Sequence, residues 1–139
     1  MKLLKHANVY TPAPLGKRDV LIEGERILRI AEEITGYDEL PDVDVYDLSG
    51  KTLVPAYIDL HVHITGGGGE QGPASRVPES SLSTFFKNGI TTVVGLLGTD
   101  GITRSLENLV AKARALTEEG MTVYTLTSVS YTHLRAHET

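Results

Sequence analysis

The chain of 139 residues contains no cysteine. This absence excludes a disulfide-stabilised scaffold and any metal site built from thiolates, so a bound metal would need histidine and carboxylate ligands. No apolar run approaches the ~20 residues that a membrane-spanning helix requires, so no membrane segment is expected. The first ten residues hold only fragments of an apolar core and no small-residue cleavage site, so we expect no signal peptide.

Positive charge is also scarce. Lysine and arginine number 13 against 18 aspartates and glutamates, which gives a formal net charge of -5. Because the sequence has no basic stripe, nucleic acid is not an expected partner. The apolar share of 40% and the charged share of 22% are ordinary for a globular protein. These properties favour a cytoplasmic enzyme or enzyme fragment, and the length is well below the ~250 residues of a complete β/α barrel.

The first fifty residues show the pattern of short strands separated by turns. Residues 20–22 and 26–30 are apolar and flank a turn around Gly24, which predicts a hairpin. Residues 43–48 form another short strand pattern. We therefore predict a small β-subdomain over residues 1–51.

From residue 52 the pattern changes to alternating strands and helices. The apolar, β-branched run 53–63 predicts a buried parallel strand, and a glycine-rich loop follows it. A helix with Pro78 near its first turn is expected to end at Asn88-Gly89, before a strand over 91–97. A second helix, ending at Gly120, is predicted from an apolar face. The residues of this face are Leu106, Leu109, Val110, Ala113 and Leu116. With a third strand over 121–127, this alternation is typical of a parallel α/β fold.

Residues 129–139 do not continue this alternation. They show no clear period and no core face, and their first six residues match what a common sequencing adapter would encode if translated. We predict a non-native, adapter-derived tail and assign no role to His133 and His137 within it. The native α/β region is then expected to span residues 52–128.

The motif with the clearest chemical meaning is His61-Val62-His63, at the carboxyl end of the first predicted α/β strand. Side chains two residues apart on a strand point to the same face, so both imidazoles can reach one cation. Asp59 has the same parity, and its carboxylate could orient a ligand histidine. An isolated pair of this kind is common and usually has no function. Its position between an apolar strand and a glycine-rich loop favours a metal site.

Residues 55–63 resemble the first barrel strand of the amidohydrolase superfamily. Within it, residues 63–73 and 91–100 are similar to the isoaspartyl (β-aspartyl) dipeptidase family. The resemblance spans roughly residues 7–128. It implies an α/β fold: a partial β-sandwich subdomain, followed by the first β/α units of a truncated, metal-dependent TIM-barrel hydrolase.

The resemblance also implies roles for individual residues. His61 and His63 would bind the more buried of two metal ions, usually zinc. The substrate, a small β-aspartyl dipeptide, would be bound by Gly68, Gly69, Glu70 and Thr99, with Glu70 holding its free α-amino group. The general acid/base aspartate, a carboxylated lysine and two further histidines lie on later strands that this sequence does not contain. The fragment alone is therefore expected to be inactive, and the full-length enzyme is expected to be a cytoplasmic homo-oligomer.

Three alternatives remain open at this stage. The chain could come from another amidohydrolase, such as a dihydroorotase, a hydantoinase or a deaminase, although these relatives generally lack the glycine run that ends in Glu70. It could be a non-catalytic module that binds a metal or a nucleotide, because residues 67–72 satisfy G-x-G-x-x-G. A dinucleotide site would require that motif to open a helix, and Pro73 with more loop follows instead. The loop could also be a mobile surface segment with a solvated Glu70.

Overall fold

The structure is a computed structural model that describes residues 1–98, 100 and 103–126. It divides the chain into two compact units, one of Met1–Pro55 and one that begins at Ala56. The first is built from strands and the second alternates strands and helices, so the α/β fold class predicted from the sequence is confirmed. The suspected tail, 129–139, lies outside the described residues, and its foreign origin stays a prediction.

The first unit is a single mixed sheet. Its strands are β1 (Lys2–Tyr10), β2 (Pro14–Glu23), β3 (Arg26–Ala31), β4 (Asp44–Asp47) and β5 (Thr52–Leu53). The order is β3-β2-β1-β4, with β5 also paired to β1, and both β4 and β5 run parallel to β1. The predicted hairpin is confirmed, because Glu23 pairs with Arg26 across a turn in which Gly24 has a φ of 55°.

Apolar side chains of β1 and β2 are buried on both faces of this sheet. Leu3 and Leu21 are paired in register and pack with Ile34 in one cluster. Leu4 and Val20, the next pair along, belong to a second cluster. Because successive side chains on a strand point to opposite faces, the two clusters lie on opposite sides of the sheet, as in one layer of a sandwich.

A β-bulge interrupts the pairing of β1 with β2. Between Leu4 and Ala7, two residues of β1 lie opposite the single residue Asp19. One of the two, His6, has a φ of 64°. The Asp19 side chain is only 1% exposed, and its two oxygens accept hydrogen bonds from the backbone amides of His6 (2.8 Å) and Ile34 (3.0 Å). A buried carboxylate thus pairs two amides.

The described residues of the second unit form three parallel strands and two α-helices. In chain order they are β6 (Tyr57–Val62), α1 (Leu82–Phe86), β7 (Ile90–Gly95), α2 (Leu106–Glu118) and β8 (Thr122–Thr125). The strands lie in the order β6-β7-β8. The buried core of this unit consists of Ile64, Phe85, Val93, Leu97, Leu109, Ala113, Leu116 and Met121. The predicted alternation of strands and helices is therefore present.

The run 53–63 is not the single buried strand that was predicted. Leu53 ends β5 in the sheet of the first unit, and β6 begins only at Tyr57. The side chains of Tyr57, Ile58 and Leu60 are 65%, 63% and 69% exposed. The reason is that β6 is an edge strand of the described sheet, while α1 packs on β7 and α2 on β8.

The helices also differ in detail from their prediction. Pro78 lies before α1, which begins at Leu82 after the N-cap Ser81, while the helix does end just ahead of Gly89, whose φ is 72°. Val110 of α2 is 40% exposed, because it lies at the margin of the apolar face. No helix in the described part of the chain is both long and apolar enough to span a membrane.

Candidate active site

The two histidines of the motif lie side by side at the end of β6. His61 is the second-last residue of β6, and His63 directly follows the last residue, Val62. Their ring centroids are 5.3 Å apart and the ring planes are nearly perpendicular, at 89°. The spacing of two residues therefore places both imidazoles on one side, as the sequence predicts. Two neighbouring imidazoles fit a borderline metal ion such as zinc.

The His63 ring is held between the loop after β6 and the segment after β7. Its Nδ1 lies 3.3 Å from the carbonyl oxygen of Leu96. A Cβ atom added to Gly98 would lie 3.4 Å from this Nδ1, and one added to Gly67 would lie 3.5 Å from the His63 Cβ. Because a carbonyl can only accept, Nδ1 donates in this hydrogen bond. The lone pair is then on Nε2, the nitrogen that could bind a metal.

Asp59 interacts with the backbone of the motif. Its Oδ1 accepts a hydrogen bond of 3.1 Å from the backbone amide of His61. The carboxylate therefore fixes the local course of the chain at the first histidine. Its predicted role of orienting an imidazole remains a prediction.

His61 and His63 form only part of a metal site. Within the described residues, no group of three or more histidine, aspartate or glutamate side chains could hold a metal ion. A tetrahedral catalytic zinc needs three protein ligands and an open position. The pair fits such a metal as two of its ligands, and any others must come from outside the described residues.

The loop after β6 requires glycine at two of its positions. Gly66 and Gly68 have φ angles of 89° and 72°, in the left-handed region. An added Cβ would come within 2.3 Å of the Val77 carbonyl oxygen at Gly66, and within 2.3 Å of the Ser75 carbonyl oxygen at Gly68. Both the backbone conformation and the close approach of the returning chain exclude a side chain there.

The tip of the loop is closed by one serine. The Ser75 hydroxyl accepts hydrogen bonds from the backbone amides of Gly69 (3.2 Å) and Gln71 (3.3 Å) and donates to the carbonyl of Gly72 (2.9 Å). Glu70, predicted to bind the substrate amino group, lies exposed within this closed tip. The substrate-binding roles of Gly68, Gly69 and Glu70 remain predictions. Thr99, the fourth predicted substrate residue, lies outside the described residues.

Residues 67–72 do not form a dinucleotide fingerprint. A short 3₁₀ turn, Pro73–Ser75, follows them, and α1 begins only at Leu82. A phosphate-binding glycine loop would lead directly into the amino terminus of a helix. The geometry therefore argues against the nucleotide-binding alternative.

Arg104 is the important residue that the sequence analysis missed. It is only 6% exposed, and its guanidinium donates to the backbone carbonyls of Thr65 (Nε, 2.8 Å), Val77 (Nη2, 2.8 Å) and Gly67 (Nη1, 3.4 Å). Nη1 also lies 3.4 Å from the Asp100 carboxylate. Nothing in the sequence around Arg104 distinguishes it from a surface arginine, because the backbone carbonyls to which it donates are 27 to 39 residues away.

Asp100 is shared by several partners around Arg104. Its carboxylate lies 3.3 Å from Nε of Arg76 and accepts hydrogen bonds from the backbone amide and the hydroxyl of Thr103. Arg76 in turn donates to the Thr103 hydroxyl at 2.7 Å. The cluster places an acidic side chain between two arginines, which balances the charge buried beneath the glycine loop.

Comparisons with known proteins support the resemblance. No protein-family model matches the chain. A crystal structure of β-aspartyl dipeptidase from Fervidobacterium islandicum AW-1, in complex with β-Asp-Leu dipeptide, is 47% identical, with a TM-score of 0.82 over 89% of this chain and 32% of that one. The dihydroorotase of Staphylococcus aureus (strain Mu50) is 32% identical over 111 residues, 80% of this chain and 25% of the relative. The D-hydantoinase of a Thermus species shares the fold, with a TM-score of 0.63 over 94% of this chain and 28% of that one, at 23% identity.

The chain thus spans about a quarter of the length of the curated relatives it matches, and about a third of the solved dipeptidase. Its resemblance to β-aspartyl dipeptidase and to the amidohydrolase superfamily, expected from the sequence, is confirmed. The dihydroorotase matches support the superfamily at a lower identity.

Proposed function

We propose that the full-length protein containing this chain is a metal-dependent hydrolase of β-aspartyl (isoaspartyl) dipeptides. The observation that supports this best is the 47% identity, over 89% of the chain, to a β-aspartyl dipeptidase crystallised with β-Asp-Leu. The paired imidazoles and the tight glycine loop are the parts of such a site that this chain would supply.

In this proposal His61 and His63 are two ligands of a zinc centre that holds two ions in the complete enzyme. When bound, the metal would lower the pKa of a water molecule and polarise the scissile carbonyl. The protein's own contribution here is orientation. The hydrogen bond from His63 Nδ1 to the Leu96 carbonyl favours the tautomer whose Nε2 would be free to bind the metal.

The loop would recognise the free amino end of the dipeptide. Gly68 and Gly69 let the backbone come close to a small substrate, and the Glu70 carboxylate would pair with its ammonium group in a charge-assisted hydrogen bond. Thr99 would add a hydrogen bond from the segment after β7. This arrangement favours an aminopeptidase-like exopeptidase whose substrate is a small dipeptide.

We extend the proposal to a cytoplasmic homo-oligomer. Each subunit would contain a TIM barrel, since β6, β7 and β8 are parallel neighbours in chain order. Cell fractionation and size-exclusion chromatography of the full-length protein would test the location and the assembly. A monomer, or a protein recovered with the membrane fraction, would contradict this extension.

The direct test is an assay of the full-length protein on β-Asp-Leu and on dihydroorotate, side by side. We expect hydrolysis of the dipeptide and none of dihydroorotate. A His63→Asn variant should lose the activity together with bound zinc, while His6→Asn, which changes an exposed histidine of the first unit, should keep both. Hydrolysis of dihydroorotate instead would favour the second candidate, a dihydroorotase, which the 32% identical relatives support.

Experiments on the 139-residue chain by itself can distinguish an enzyme fragment from a non-catalytic binding module. We expect weak zinc binding and aggregation, because apolar side chains of the edge strand β6 are exposed. Calorimetric titration with zinc and urea unfolding would measure this. Tight binding of one zinc per chain with cooperative unfolding would contradict the fragment interpretation.

A further inference from the structure

The glycine-rich loop leaves β6 and returns to the same place, and Arg104 joins its two ends. The outgoing end contributes the carbonyls of Thr65 and Gly67, and the returning end contributes that of Val77. A direct backbone bond of 2.8 Å from the Val77 amide to the Gly67 carbonyl closes the same point. We call this junction, formed by Thr65, Gly67, Val77 and Arg104, the neck of the loop.

The chemistry of the neck requires a guanidinium. The groups to be satisfied are carbonyl oxygens, which can only accept, and they converge from three directions on one buried point. Arginine offers five N–H donors in a rigid planar fork, whereas lysine offers a single ammonium on a flexible stem. The Asp100 carboxylate, 3.4 Å from Nη1, offsets part of the cost of burying the charge.

The neck is next to both parts of the candidate site. Thr65 follows His63 by two residues, and a Cβ atom at Gly67 would be in van der Waals contact with the His63 ring. Gly68, Gly69 and Glu70 continue directly from Gly67. The position of the neck therefore determines where these three residues lie relative to the imidazoles.

We propose that Arg104 is a positioning residue that holds the glycine-rich loop against His63 and thereby sets the affinity for substrate. This rests on the proposed function of the loop. Arg104 touches neither substrate nor metal in this role, since its side chain is buried under the backbone of the neck. Its loss would leave the metal ligands in place and displace the groups that bind the dipeptide.

The test uses the full-length protein with Arg104→Met, Arg104→Lys and the matched control Arg114→Met, which removes an exposed arginine from α2. We expect Arg104→Met to raise KM for β-Asp-Leu and to lower kcat/KM by about 10- to 100-fold, because small displacements of binding groups have effects of this size. Arg104→Lys should recover part of the loss. Zinc content should stay at the wild-type level in all three, and Arg114→Met should match the wild type throughout.

Hydrogen exchange gives a second readout that needs no activity. The amides of Val77 and Ser80 are bonded to the carbonyls of Gly67 and Ile64, on opposite sides of the loop. In Arg104→Met they should exchange at least about tenfold faster, while the amide of Val93 in β7 keeps its rate. If KM and the exchange of these amides are both unchanged, or if zinc is lost along with activity, the proposal is overturned.

If Arg104→Met does not fold, Arg104→Gln is the fallback variant. Its single amide group can donate to a carbonyl of the neck but cannot join Thr65 and Val77 as the guanidinium does. We expect the same rise in KM and the same faster exchange, and a wild-type KM would contradict the proposal. A wild-type protein inactive on β-Asp-Leu would refute the proposed function instead, and the exchange experiment would still decide the role of Arg104.

Discussion

Among the described residues, each unit buries one charged side chain next to irregular backbone, and the two side chains are opposite in charge. In the first unit Asp19 accepts from two backbone amides at the bulge of β1. In the second, Arg104 donates to three backbone carbonyls at the neck of the glycine-rich loop. Where the backbone leaves regular strand pairing, amide donors lack partners in the first unit and carbonyl acceptors lack partners in the second. The buried carboxylate and the buried guanidinium supply the missing acceptor and donors, respectively.

The difference between the two lies in what surrounds them. The Asp19 bulge lies between two hydrophobic clusters, and none of the predicted site residues belongs to that unit. The neck held by Arg104 borders His63 and the glycine loop. Loss of the buried side chain is therefore expected to lower only stability in the first unit. In the second unit it is expected to weaken substrate binding as well.

The largest effect on stability is expected for Asp19→Ala. It leaves the amides of His6 and Ile34 buried without an acceptor, and each such group costs about 1–3 kcal/mol. We expect a loss of roughly 2–4 kcal/mol in the free energy of unfolding, measured with urea on the full-length protein. The control Asp42→Ala, on the exposed surface, should change it by less than about 0.5 kcal/mol. A loss below about 1 kcal/mol for Asp19→Ala would show that the bulge does not depend on the carboxylate.

Asp19→Asn should have about half that effect, because an amide side chain keeps one acceptor oxygen and presents an N–H₂ group to the other amide. This variant sharpens the contrast between the two units. We expect a loss of about 1–2 kcal/mol in urea unfolding with KM for β-Asp-Leu unchanged. A raised KM would show that Asp19 affects the candidate site as well as stability, and the two buried charges would then not differ in this respect.

A smaller change is expected for Thr65→Val at the neck itself. The Thr65 side chain is 5% exposed, and its hydroxyl has no hydrogen-bond partner among the described residues. Replacing an unpaired buried hydroxyl by a methyl group of similar shape should be neutral or stabilising by up to about 1 kcal/mol. Thermal unfolding would measure this, with Thr65→Ser as the control that keeps the hydroxyl. A clear destabilisation by valine would show that the hydroxyl has a partner in the full-length protein.

The smallest effect concerns an exposed carboxylate of the first unit, which contrasts with the buried Asp19. Hydrogen bonds from the Ser49 hydroxyl, from His6 and from the Ser49 amide lower the pKa of Asp47 from 3.8 to about 2. Because the folded pKa is below the unfolded one, the stabilisation is present above pH 3.8 and is lost as the pH falls toward 2. Asp47→Asn should slightly reduce the pH dependence of the free energy of unfolding between pH 2 and 5. An unchanged pH dependence would show that the hydrogen bonds to Asp47 do not persist in solution.

Local patterns were sufficient to predict much of the second unit. The apolar spacing of Leu109, Ala113 and Leu116 correctly indicated a buried helix face, and the two-residue spacing of His61 and His63 correctly placed both rings together. These signals depend on residues that are close in sequence, where the period of a helix or strand determines direction.

Other features depend on partners far away in the sequence. The run from Leu53 to His63 looks continuous in apolar content, yet Leu53 pairs with β1, whereas only β6, which begins at Tyr57, pairs with β7. The separation occurs around Pro55, whose missing N–H cannot join a ladder. Asp19 and Arg104 likewise resemble surface residues until the distant backbone groups beside them are known.

The neck has a consequence for how substrate preference can change over evolution. Its hydrogen bonds join a guanidinium to main-chain carbonyls, so they do not depend on which side chains the tip carries. Residues 69–75 can therefore be lengthened, shortened or exchanged while the two ends stay fixed. A sequence that keeps arginine at 104 and glycine at 66 and 68 is expected to keep the neck, so the tip of the loop can change without a change in the strand that bears the histidines.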